Sequence, residues 1–281
     1  MKSYHTKREY IKSLGLQGFF GVILAMFITT EAFANLIINP TRVVFDDSDR
    51  TQSVTIINSG NQPQTYRLKF VEKVQSNQGG YTNLDESANA SLDQFQASPM
   101  LRYSPRQITL QPNEKQRVRI SLRKPANLRA GEYRSHLMFQ ILPKAEQINL
   151  NQENAGFKIF MLQSFSIPVQ VRVGQPQVIA QIQSPQIRAI DNQKNAVQFT
   201  LNKSGNYSAF GSVKVFWKPN AGAQFQPVGE LNNVAVYRES SQISVSVTLQ
   251  TPPKTGIYKI DFLADKFFKQ KVFDSMEFTV N

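Results

Sequence analysis

Reading every second residue from Phe157 gives Phe157, Ile159, Met161, Gln163, Phe165, Ile167, Val169 and Val171. This period-two alternation belongs to an extended strand, whose side chains point to opposite faces in turn. The stripe runs for about 17 residues, far beyond the usual five or six of a strand. An apolar face of that length must be hidden, either inside its own domain or inside another chain. Its first half (Phe157, Ile159, Met161) exceeds what a sandwich of about 100 residues needs. It also emerges from a polar segment, 143–156, that reads as a loop. An exposed apolar edge is an aggregation hazard, and it makes sense where the edge pairs with a second chain by strand addition.

The same alternation recurs almost throughout the rest of the chain. LIINPTRVVF (36–45), TQSVTIINSG (51–60), TYRLKFVEKV (65–74), LRYSPRQITL (101–110), QRVRISLRK (116–124) and GEYRSHLMFQIL (131–142) read as strands separated by turn residues. The segment 75–98 is polar and rich in Gly, Asn and Ser, and reads as a long loop. Around VGQPQ (173–177) a short Gly/Pro linker marks a boundary, and further short strands follow. No segment shows sustained helical periodicity. The expected fold is therefore all-β: two immunoglobulin-like sandwiches, residues 35–173 and 174–281, with Trp217 filling the second core.

Residues 1–34 are set apart from this fold. MKSYHTKREYIK is basic, LGLQGFFGVILAMFITT is apolar, and Ala32-Phe33-Ala34 offers the small-x-small pattern of a cleaved export signal. The apolar run is shorter than the ~20 residues that span a bilayer, and nothing downstream is long and apolar enough to do so. Export together with the absence of cysteine means that no disulfide supports either domain. The formal charge of +12 would suit lipid headgroups, nucleic acid or an acidic protein. The basic residues are spread over strands without aromatic interleaving, which argues against nucleic acid.

Catalytic patterns are missing: there is no HExxH, GxSxG, P-loop or GxGxxG. His136, the one histidine outside the signal, falls within a predicted strand and reads as structural. The acidic run DDSD (46–49) lacks the further carboxylates of a calcium site and reads as a turn. An enzyme, a metal site and a cofactor are therefore not expected.

The residues resemble the periplasmic pilus-assembly chaperones of the PapD type over essentially the whole chain after the signal. PTRVVFDDSDRTQSVTIINSG is similar to that family's opening strands, and YSPRQITLQPNEKQRVRI (103–120) is the most specific stretch. GEYRSHLMFQILPK looks like the strand before the subunit-binding loop, and SIPVQVRVG like the end of the donor strand. The details GEYRSHL and SIPVxVR look closest to the archaic chaperone–usher branch. The resemblance implies two domains in an L or boomerang arrangement, a periplasmic location and no enzymatic activity. It implies pilin subunits as partners, held by donor-strand complementation through Phe157, Ile159, Met161, Phe165 and Ile167, and delivered to an outer-membrane usher. Gln163 interrupts that stripe. The resemblance further implies that Arg42 and Arg172 clamp the subunit's terminal carboxylate and that Glu132 sets interdomain geometry. The basic partner the family places just after the donor strand is Gln175 here. The same edge would allow self-association. The alternative is an exported structural or adhesive immunoglobulin-like protein, in which the stripe is internal and the arginines ordinary.

Overall fold

The computed structural model describes residues 36–84, 95–143, 163–191, 194–268 and 272–281. The proposed signal segment, most of the segment 143–156, and Phe157, Ile159 and Met161 lie outside the described residues. Regular structure in the described residues is almost all β. The alternation seen in the sequence explains why: apolar residues two apart line one face of each strand.

The first sandwich is built from two sheets. In one, β1 (Leu36–Asn39), β3 (Thr51–Asn58), β9 (Lys115–Leu122) and β7 (Leu101–Ser104) lie side by side in that order. In the other the order is β2 (Val43–Phe45), β11 (Ser164–Val173), β10 (Gly131–Ile141), β4 (Gln64–Val71) and β8 (Gln107–Leu110). The opening segment thus crosses between layers, β1 pairing with β3 and β2 running parallel to β11. Val54, Ile56, Tyr66, Val118, Ile120, Leu137, Phe139, Val169 and Val171 form the core between the sheets.

The second sandwich packs β12 (Val178–Ala189), β13 (Asn195–Gly205) and β16 (Gln242–Thr248) against β15 (Gln226–Val236), β14 (Ala209–Lys218), β17 (Gly256–Ala264) and β18 (Val272–Val280). Phe199, Leu201, Val213, Val215, Tyr258, Ile260 and Phe262 fill its core. Trp217, expected at that centre, is half-buried at the margin. Its position near the end of β14 leaves its indole facing the turn before β17, where its N–H donates to the Thr255 carbonyl.

The segment 75–98, expected to be a loop, contains structure. A ribbon of β5 (Lys73–Gln75) and β6 (Tyr81–Asn83) turns through Gly79 and Gly80 and leans on the second sandwich. Gln75 Nε2 donates to the Ala235 carbonyl at 2.7 Å, while its Oε1 accepts from the Tyr237 N–H at 2.9 Å. The Tyr81 hydroxyl meets that of Tyr237 at 3.0 Å. The ribbon is polar because its partner is a row of backbone groups and hydroxyls.

Candidate functional site

β10 and β11 are antiparallel neighbours, with Glu132 directly opposite Arg172 and Arg134 opposite Gln170. On β10, Tyr133, Leu137 and Phe139 face the core of the first sandwich. Glu132, Arg134 and His136 fall on the other face, which in an isolated sandwich would be wet. Here it is covered by the ribbon and by the second sandwich, so β10 is buried on both faces from Gly131 to Leu137. Charges in such a place must be paired.

Glu132 is the hub of that pairing. Its Oε2 accepts from Arg172 Nε at 3.0 Å, and its Oε1 accepts from Gln170 Nε2 at 2.8 Å and from the Ser208 hydroxyl across the domain boundary. Its main chain is bridged too: the Glu132 N–H donates to the Asn206 carbonyl, and its carbonyl accepts from Arg238 Nη1 at 2.9 Å. Gly131 makes this approach possible. Its φ is +147°, and a Cβ there would lie 2.3 Å from Arg238 Nη1. Arg238 also stacks over Phe95, 3.9 Å from the ring centroid.

A second bridge lies alongside. Arg134 pairs with Glu239, donates to the Lys73 carbonyl at 3.0 Å and stacks 3.9 Å from the Tyr237 ring centroid. His136, buried beside it, is pushed down to about 3, first by burial and then by the charges of Arg134 and Lys73. It is a neutral part of the junction, in keeping with the structural role expected for it. Burial likewise drives the Tyr237 hydroxyl upward and the Lys203 ammonium downward.

Arg42 and Arg172, expected to act as a joint clamp, line separate cavities and have separate ion-pair partners. Arg172 is buried, paired with Glu132, and stacked 3.8 Å from the Phe267 ring centroid. It borders a groove of about 530 Å³ with Asp46, Asp47, Tyr207, Phe267 and Phe268. The Asp46 carboxyl is raised there, chiefly by burial, with Arg172 opposing. Arg42 borders a different cavity, of about 470 Å³, lined also by Phe210, Ser212, Asn232, Asn233 and Asp265. Its Nη2 donates to Asp265 Oδ2 at 2.7 Å. The buried Glu132 carboxylate requires a cation, and Arg172, directly opposite on the neighbouring strand, supplies it.

Ile167 does not face outward. It is 4 % exposed and belongs to its own core with Val169 and Val171, while Phe165 packs on the margin of that core. The stripe from Phe165 onward is therefore consumed internally, because β11 is the layer that closes the first sandwich. The edge of β11 is another matter. β10 pairs with one side along its whole length, whereas β2 pairs with the other only at Val169–Val171. Over Ser164–Pro168 no described strand pairs with the outer edge. In the sequence, Met161, Ile159 and Phe157 precede that stretch.

Residues 35–172 match the family model described as pili and flagellar-assembly chaperone, PapD N-terminal domain. No curated protein matches the chain. Among solved structures, one is a CsuC–CsuE chaperone–tip adhesion subunit pre-assembly complex from archaic chaperone–usher Csu pili of Acinetobacter baumannii. It is 15% identical, covers 87% of this chain and 98% of its own, and has a TM-score of 0.42. The Salmonella enterica SafA pilin–SafB chaperone complex is 12% identical, with 89% and 98% covered and a TM-score of 0.42. The Pseudomonas aeruginosa CupB2 chaperone is 14% identical, with 86% and 98% covered and a TM-score of 0.40.

Proposed function

Through residues 35–172 the chain belongs to the PapD-type pilus-assembly chaperones, and from that premise we propose that it is a non-enzymatic periplasmic chaperone for pilin subunits. It captures subunits whose immunoglobulin-like fold lacks its last strand, lends them its own strand, and hands them to an outer-membrane usher. The observation that carries this reading is the outer edge of β11 over Ser164–Pro168, with which no described strand pairs, continuous in sequence with the apolar residues before it. An open edge offers main-chain donors and acceptors to an incoming strand. Phe157, Ile159 and Met161 are the side chains to be donated, each worth roughly 1.5–3 kcal/mol when buried, before ordering costs. Arg42, whose Nη1 has no hydrogen-bond partner among the described residues, is the group that receives the subunit's terminal carboxylate. Arg172 and Glu132 hold the two domains together.

The test is co-expression with an immunoglobulin-like subunit lacking its final strand, followed by purification. A 1:1 complex is expected, weakened when Ile159 and Met161 become Thr and lost with Arg42→Ala; the free Ile159/Met161 variant keeps its melting temperature, and free Arg42→Ala stays folded, losing at most about 1 kcal/mol with the Asp265 pair. Normal capture by the Ile159/Met161 variant overturns strand donation. The alternative, a structural immunoglobulin-like protein, is favoured by the burial of Ile167, Val169 and Val171 in their own domain. It predicts that no subunit co-purifies.

A further inference from the structure

Arg42 is only half used. Its Nη2 is bound to Asp265, whereas its Nη1 is buried and has no hydrogen-bond partner among the described residues. The guanidinium sits over Phe210, 3.3 Å from the ring centroid. Asp265 is held just as firmly. Its N–H donates to the Phe210 carbonyl at 2.8 Å, and its carbonyl accepts from the Phe268 N–H at 2.9 Å, closing the turn after β17. Phe210 therefore positions both halves of the ion pair, the cation with its ring and the anion with its main chain. The cavity beside them is bordered by Ser212, Asn232 and Asn233, all able to hydrogen-bond a carboxylate.

A carboxylate entering this cavity meets an Arg42 side chain whose Nη2 is already held by Asp265 and whose Nη1 is buried. The carboxylate gains the bidentate grip that makes arginine a strong carboxylate receptor only if Asp265 gives up Nη2. We infer that Asp265 is an internal stand-in for the subunit's terminal carboxylate, holding Arg42 before capture and yielding it on capture. This rests on the subunit-capture reading of Arg42. The arrangement has two consequences. Arg42 is never left half-buried without a counter-charge, which would be costly. The incoming group must also outcompete an anion already in place, so a neutral chain end fails where a charged one succeeds. The exchange opens an ion pair between the two sandwiches, so capture loosens one of the contacts that join them.

The experiment titrates the chain lacking residues 1–34, isotope-labelled, with N-acetylalanine as a minimal free chain end and N-acetylalaninamide as its neutral counterpart. Binding is followed through the arginine Nε–H resonances. Asp265→Asn is expected to bind the acid about fivefold more tightly than the unchanged chain, the scale of one partly exposed ion pair. Neither protein binds the amide, and adding Arg42→Ala to Asp265→Asn abolishes the gain. Asp265→Ser, which keeps a small polar side chain, serves as the second variant should Asp265→Asn melt early. Equal affinity of the unchanged chain and both variants for the acid overturns the inference, as does equal binding of acid and amide. Failure of the unchanged chain to co-purify with a subunit is a separate result, and it counts against the chaperone reading, leaving the titration to judge Asp265.

Discussion

Replacing Glu132 by Ala removes the centre of the junction. Its carboxylate is 1 % exposed and its partner Arg172 is 5 % exposed at the side chain. Three side-chain donors (Arg172, Gln170 and Ser208) lose their acceptor at once. Breaking a buried ion pair from one side costs about 3–5 kcal/mol, because the surviving charge is left without compensation. With a urea dependence of about 1–3 kcal/mol per molar, the unfolding midpoint falls by on the order of 1–5 M. Circular dichroism reports both sandwiches, while Trp217 fluorescence reports the second alone, so the two signals locate the loss. Most of it should appear in the first sandwich, which contributes both charges. Replacing Arg172 as well, by Ala, should return a substantial part of the loss, since no unpaired guanidinium then remains. A Glu132→Ala cost below about 1 kcal/mol, or costs for the two positions that simply add, would refute the claim that this buried pair organises the junction.

Other outcomes follow from the same contacts. His136 has a folded pKa of about 3 against an ordinary 6.5, so as pH falls the unfolded chain takes up the proton first. Stability is whole above pH 6.5 and drains towards pH 3 by up to about 1.4 kcal/mol per pH unit; urea melts of His136→Gln should show a flatter pH dependence over that window. Ile167→Ala should destabilise the free protein by about 2–5 kcal/mol, as expected of a core residue, and thermal melts of the uncomplexed chain decide it. The Ser135 hydroxyl accepts from the N–H groups of Ala97 and Ser98 and reaches Glu72. Ser135→Ala should therefore cost about 1–3 kcal/mol, visible as faster amide exchange at Ala97 and Ser98.

The strands were legible because burial on one face writes itself as alternation, and the two cores are made of the residues that alternation selects. What alternation cannot say is which polar face a second domain covers. His136 reads as structural and Glu132 as an interdomain acid, but only the register of β10 against β11 reveals Arg172 as that acid's partner. Ser208, Arg238, Glu239 and Asp265 carry no local signal, since the bond each makes to the first sandwich reaches a residue at least 76 positions away. The β5–β6 ribbon was hidden for a similar reason. Its strands are three residues long and gain their stability from hydroxyl and main-chain contacts rather than an apolar face.

β11 carries at one end the edge that no described strand covers and Arg172 at the other, eight residues apart, or about 26 Å of extended chain. In a pleated strand a slip of one residue turns every side chain to the opposite side. Such a slip would pull Val169 and Val171 out of the core and swing Arg172 away from Glu132 in the same motion. The buried guanidinium is thus an indexing pin. It sets, from across the domain, which main-chain groups the far end of the strand displays, and it keeps that display in step no matter what pulls on the edge.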